Sequence, residues 1–110
     1  MLITTQDQFE EYRIKKTFGI VQGSTIRARH IGTDILAGFR NLVGGEVHEY
    51  TKMLAESREQ ALDRMKTEAE AMGANAIVCL RFTTSTIMSG MAEFLAFGTA
   101  VLVELKSTHN

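Results

Sequence analysis

The sequence predicts an α+β domain in which a short helix and a long amphipathic helix pack on an antiparallel sheet, in the chain order strand, helix pair, strand, strand. Three observations carry this. Residues 12–29 alternate apolar and polar side chains with the period of a strand that has one wet face. Residues 46–72 repeat apolar side chains at intervals of three and four, the period of a helix with one buried stripe. The run Phe94-Leu95-Ala96-Phe97-Gly98-Thr99-Ala100-Val101-Leu102-Val103 is apolar on both alternating faces, which marks a strand covered on both sides.

In the first strand Tyr12, Ile14, Phe18, Ile20, Ile26 and Ala28 share the parity assigned to the core, and Arg13, Lys15, Thr17, Thr25, Arg27 and Arg29 share the wet one. Bends or bulges are expected at Gly19 and Gly23. Thr33 is a fitting N-cap with Asp34 in the first turn, and Ile35, Leu36, Phe39, Leu42 and Val43 give the short helix one apolar face. Gly44-Gly45 ends it. The long helix runs from about Glu46 to Met72, roughly 40 Å at 1.5 Å per residue. Its stripe is Val47, Tyr50, Leu54, Ala61, Leu62, Met65, Ala69 and Met72, and Lys52–Glu56, Arg64–Glu68 and Lys66–Glu70 are opposite charges at i,i+4. Gly73 is the expected residue after the helix end, with Asn75 continuing the turn. Residues 76–87 form the second strand, with Val78, Leu80 and Phe82 opposite Ile77, Cys79 and Arg81. Met88-Ser89-Gly90 turns it into the last strand, making a hairpin.

Covering that last strand is the main demand the sequence makes. Four large side chains left in water would forgo about 6–12 kcal/mol, comparable to a small domain's whole stability. One helical layer covers one face, and a second copy of the chain is the cheapest cover for the other.

Length and composition bound the rest. At 110 residues the chain reads as a single domain, 1–110, with a core from about 12 to 105 and a frayed tail from 107. With 45% hydrophobic and 23% charged residues it is a folded protein, and a net charge of -1 gives no global attraction to nucleic acid or anionic membrane. Five bases and no acid lie between Tyr12 and His30, but they sit mostly on the wet parity without interleaved aromatics, unlike a single-strand nucleic-acid platform. A single cysteine, Cys79, excludes an intrachain disulfide. No signal peptide is read at the N-terminus, and the apolar run 87–103 is short for a membrane span and carries Glu93. The expected location is cytoplasmic.

The stretch Gly32-Thr33-Asp34-Ile35-Leu36-Ala37-Gly38-Phe39-Arg40-Asn41-Leu42-Val43-Gly44-Gly45, followed by Tyr50, by Gly73-Ala74-Asn75-Ala76-Ile77-Val78 and by Gly98-Thr99-Ala100-Val101, resembles the YbjQ-like family. These are small uncharacterised prokaryotic proteins often labelled "putative heavy-metal-binding". The resemblance implies a β-α-β-β fold of the dodecin-like kind, a cytoplasmic location and a ring-shaped homo-oligomer, usually a pentamer. It also implies a metal ion as ligand, whereas dodecin-type rings suggest the alternative of a bound small molecule or stored cofactor.

Soft metals take converging thiolate and imidazole ligands. The metal candidates are Cys79, His48 and His30, with His109 in the tail and Glu46 and Glu49 flanking His48. No two Cys or His residues stand at a local ligand spacing, so a site must form in space or repeat around a ring. As ordinary residues, His48 is a solvated histidine near a helix end and Cys79 a small buried hydrophobe. Five of the six methionines (Met53, Met65, Met72, Met88 and Met91) fall in the long helix or flank the hairpin, where methionine is a gap-filler more often than a copper ligand. For an anion or nucleotide phosphate the candidates are Gly44 and Gly45 before a helix N-terminus, Arg40, and Tyr50 as a stacking ring. The competing reading is that the glycines only let two helices meet, with Arg40 paired to an acid and Tyr50 in the core. No nucleophile elbow, phosphate loop or His–carboxylate–nucleophile pattern is present, and no enzyme activity is expected.

Overall fold

The computed structural model describes residues 1–28, 45–88 and 90–107, with Ala28 and the segment 45–50 described by their backbone alone. Strand β1 (Leu2–Ile3) precedes β2 (Tyr12–Ala28), the single described helix α1 (Gly45–Ala71), β3 (Ala76–Met88) and β4 (Met91–Leu105). The four strands form one sheet in the order β1-β3-β4-β2. β3 and β4 are the expected hairpin and β2 pairs antiparallel with β4, but β1 lies parallel to β3, so the sheet is mixed. A strand of two residues has no alternation to read, which is why the sequence does not announce it. The short helix expected over 33–43 lies outside the described residues.

α1 lies on one face of the sheet because both partners are small where they meet. Ala61, Met65 and Ala69 pack fully buried against Val21, Ile77, Ala96 and Ala100. Gly23 sits directly under the helix, where a Cβ would collide with the Ala61 carbonyl oxygen and the Met65 nitrogen. The helix ends as expected at Gly73, whose φ of 93° lets its N–H reach Glu70 at 3.0 Å while Ala74 donates to Ala69 at 3.1 Å. Met72, assigned above to the buried stripe, is 41% exposed beyond that end.

The helix covers the face of β2 opposite to the one expected. Tyr12, Ile14, Ile20, Ile26 and Ala28 do share a face, since register shifts at Ile14/Lys16 and Thr17/Gly19 cancel each other. That face is the outer one. Beneath α1 lie Val21, Gly23 and Thr25, all buried, with half-buried Arg27. Close helix approach selects the small side chains of the other parity, and Phe18, displaced by the second shift, packs with them.

β3 also departs from simple alternation. A register shift between Val78 and Arg81 places Cys79 at a φ of 59°, and Ile77 and Val78 are both buried on opposite sides. The N-terminal segment straps this bulge: Cys79 N–H donates to Gln6 O at 2.9 Å, Leu80 N–H to Thr4 O at 3.1 Å, and Arg81 Nη1 to Thr5 O at 2.8 Å.

Candidate functional site

β4 has the two covered faces that its composition demands, but only over part of its length. Towards the helix Ala92, Phe94, Ala96 and Ala100 are buried. On the outer face Ala76, Val78, Val101 and Val103 are buried beneath Phe9 and Tyr12, whose rings meet edge to face at 6.0 Å. The chain's own N-terminal segment is therefore the cover at this end, in place of the second copy expected from the sequence. Asn75 closes the same end, donating to Val103 O at 2.9 Å and accepting from Val103 N at 2.8 Å.

Beyond the strap the outer face carries no cover among the described residues. The register places Ile20 beside Thr99, Gln22 beside Phe97, Ser24 beside Leu95 and Ile26 beside Glu93, with Arg81, Thr83, Ser85 and Met88 on the β3 side. Ile20 is 76% exposed, Ile26 54% and Met88 58%, while Leu95, Phe97 and Met91 are half-buried. The stripe that reads as core in the sequence is thus the apolar part of an open surface. Contiguous apolar surface of this kind marks an interaction site more often than a solvated wall.

The ligand candidates do not converge. Cys79 is a free, half-buried thiol that joins the Phe9–Tyr12 cluster at its edge. Gly45 is the first residue of α1, and His48 and Tyr50 lie in its opening turns with undescribed side chains. His30, Arg40, Gly44 and His109 lie outside the described residues. Among the described residues no group of three or more His, Cys, Asp or Glu is placed to hold a metal ion. Met65 is fully buried in the helix–sheet core, whereas Met72 and Met88 are exposed, which fits packing and surface positions for them.

The basic stretch dissolves into separate contacts. Arg13 and Lys15 converge on Glu104, at 2.6 and 3.4 Å, and the Arg13 hydrogen bond, with help from Lys15, holds the Glu104 carboxyl below the usual carboxylate range. Arg64 and Glu68, which the spacing paired with each other, both turn to the edge of β2: Arg64 donates to Ser24 O and Glu68 accepts from Gln22 N–H. Lys66 pairs with Asp63 rather than Glu70, at 3.6 Å. Arg27 is half-buried under α1, its Nε without a hydrogen-bond partner, and so is no part of a solvated basic face.

A family model described as "putative heavy-metal-binding" matches residues 1–104. The chain belongs to the YbjQ-like family. A UPF0145 protein of Methanococcus maripaludis is 60% identical over 92% of this chain and 90% of its own. Relatives bearing the same designation in Dehalococcoides mccartyi and Thermotoga maritima are 53% and 51% identical over 94% of this chain, covering 100% and 98% of theirs. A crystal structure of a protein of unknown function from Pediococcus pentosaceus, assigned to the DUF74 family, superimposes with a TM-score of 0.63 at 18% identity, over 94% of this chain and 98% of that one. At that identity the likeness concerns the fold alone. Residues 32–44 of the YbjQ-like signature fall outside the described residues, whereas Gly45, Tyr50, 73–78 and 98–101 lie within them. No described helix is long and apolar enough to cross a membrane.

Proposed function

We propose that this YbjQ-like protein is a non-enzymatic, cytoplasmic subunit that assembles with copies of itself, as a ring, and binds its ligand at a site completed by the assembly. The observation that carries this is the outer sheet face, where Ile20, Ile26 and Met88 are more than half exposed beside half-buried Leu95 and Phe97. The elongated shape supports it. The Cα radius of gyration is 17.9 Å and the extents are 62 × 25 × 17 Å, whereas a compact chain of this size has a radius near 13 Å.

The family's metal label finds no group of three or more His, Cys, Asp or Glu to hold an ion among the described residues of one chain. A soft-metal site would need Cys79 joined either by histidines whose side chains lie outside the described set or by ligands from another copy, and a small molecule held between copies is the second reading, favoured by the apolar outer face. Light scattering on a sizing column at micromolar concentration tests assembly, with a multiple of 12.2 kDa expected and a soluble monomer refuting it. Metal analysis and an absorbance spectrum of untagged protein separate the two ligands. A metal-to-chain ratio that falls with Cys79→Ser supports the ion, and a chromophore without metal supports the small molecule.

A further inference from the structure

The layer between α1 and the sheet is apolar along most of its length and polar at one end. Glu68 meets Gln22 and Arg64 meets Ser24, so α1 runs antiparallel to β2, and four helix residues advance about as far as two strand residues. Gly23 lies under Ala61 and Met65. The same step carries Thr25 to the turn of Ser57 and Arg27 to the turn of Met53. Ser57 is fully buried and Thr25 is 4% exposed, in line with positions that hold alanine and methionine further along the layer.

Of the three polar side chains at this end, one is satisfied. Ser57 Oγ donates to Met53 O at 2.8 Å within the helix. Thr25 Oγ1 and Arg27 Nε are buried atoms with no hydrogen-bond partner. The register sets these two residues beside Phe94 and Ala92, which offer no acceptor in their side chains. The described acids answer elsewhere: Glu93 leaves β4 on the outer face, Glu56 and Glu59 are exposed, Asp63 pairs with Lys66, and Glu68 accepts from Gln22. Arg27 therefore has no counter-charge among the described residues. Folded proteins seldom leave a buried donor unpaired, least of all one on a permanent cation.

We propose that Thr25 and Arg27 form an oxyanion site under α1, which takes the phosphate or carboxylate group of a small ligand. What both side chains lack is an acceptor. The guanidinium can only donate, in a fork that matches two oxygens of such a group, and the threonine hydroxyl adds a further donor. The two residues are two apart on one strand, so they leave the sheet on the same side and within reach of one ligand. Ala92 and Phe94 make the adjoining wall apolar, which strengthens a charge-assisted bond formed against it. Arg27 as a whole is half-buried, so solvent reaches part of its side chain while its Nε stays covered. The site is built within one chain and does not rest on the assembly proposed above.

Thermal melts in inorganic phosphate and in acetate, each against sodium chloride at the same ionic strength, test the site. The parent's melting point should rise with anion concentration and level off, as binding to the folded state requires. Arg27→Leu should abolish the rise, and Thr25→Val, which keeps the shape and removes the hydroxyl, should weaken the apparent affinity about tenfold. In chloride alone both variants should melt no lower than the parent, because each deletes a buried donor that had no partner. A rise with phosphate alone assigns a tetrahedral group to the ligand, and a rise with acetate alone a planar one. No rise with either anion overturns the site. So does a rise that survives in Arg27→Leu, since the anion then binds elsewhere. An Arg27→Leu protein that melts far below the parent in chloride overturns it without any ligand, because the chain itself would then be pairing Arg27.

Discussion

Leu95→Asp set beside Ala96→Asp separates the two faces of β4. The residues are adjacent, so their side chains leave the sheet on opposite sides. Ala96 is fully buried under α1, and an unpaired carboxylate there costs about 3–5 kcal/mol, a large share of the roughly 5–15 kcal/mol that a domain commands. That variant should fail to fold or melt far below the parent. Leu95 is half-buried in one chain, between Thr83 and Ser24 in the register, so an aspartate there keeps access to water while the chain is alone. Phe97 is the poorer choice, because Arg81 stands directly across from it and would neutralise the new charge. Where a second copy covers the outer face, the same aspartate loses its water. At about 3–5 kcal/mol per copy the dissociation constant rises by roughly two to four powers of ten. Leu95→Asp should therefore fold, keep its helix content, and run as a smaller species at micromolar concentration. Light scattering and thermal melts at two concentrations read both effects. A Leu95→Asp protein with the parent's mass and a melting point within about 2–4 °C of it, the span of a ±0.5 kcal/mol surface change, would show the outer face to be solvated and remove the basis for assembly over it.

Gly23→Ala places a methyl against the α1 backbone, which cannot rotate away as a side chain would; a loss of about 1–3 kcal/mol and a melting point lower by roughly 5–20 °C are expected, and an unchanged melt would refute the close contact. Asn75→Ala strands the Val103 N–H and carbonyl and should cost about 1–3 kcal/mol by denaturant titration, with Asn75→Asp recovering only the bond from Val103 N–H. Glu104 has a lowered carboxyl pKa, so its contribution is present above the unfolded carboxylate pKa and is lost as pH falls through the lower folded value. Carbon-detected titration of Glu104 should show the depressed midpoint, and Arg13→Ala should raise it.

What could be read from the sequence followed the strength of each periodic signal. The long helix was placed to within a residue at each end, because an N-terminal glycine pair and a C-terminal glycine bracket an unbroken three–four repeat. The hairpin and the first long strand were equally legible, and so was the shared face of Tyr12, Ile14, Ile20 and Ile26. What the pattern could not say is which face the helix would choose. Hydrophobicity pointed to the isoleucine stripe, whereas packing geometry chose the face of Gly23, Ala96 and Ala100, which lets the helix backbone come close. The N-terminal strap was missed for a related reason. Phe9 covers Val101 and Val103 from an irregular segment, beside Tyr12 at the start of β2, and irregular segments have no period. The site candidates fared differently. Cys79 reads in the sequence as a small buried hydrophobe of an alternating strand, whereas it is half-buried at a bulge with positive φ, bonded to a strap that no feature of its neighbours in sequence reveals.

The metal reading and the assembly reading are therefore not independent. A thiophilic ion needs two or more soft ligands, and each chain supplies a single thiol, Cys79, held by the strap on a half-buried bulge, with no group of three or more His, Cys, Asp or Glu among the described residues. If that thiol is a ligand, its partners come from another copy or from the histidines outside the described residues. In the first case the protein must be assembled before it can bind, and metal should be lost when the subunits part; in the second, binding survives in a monomer. An ion shared on a ring axis is stoichiometric with the ring, and an ion held between neighbours is stoichiometric with the chain. The outer sheet face makes no comparable demand on ligand chemistry, since burial of Ile20, Ile26 and Met88 is favourable whatever is bound. The proposed assembly thus rests on the apolar surface of the chain itself, whereas metal binding depends on which of those two cases supplies the remaining ligands.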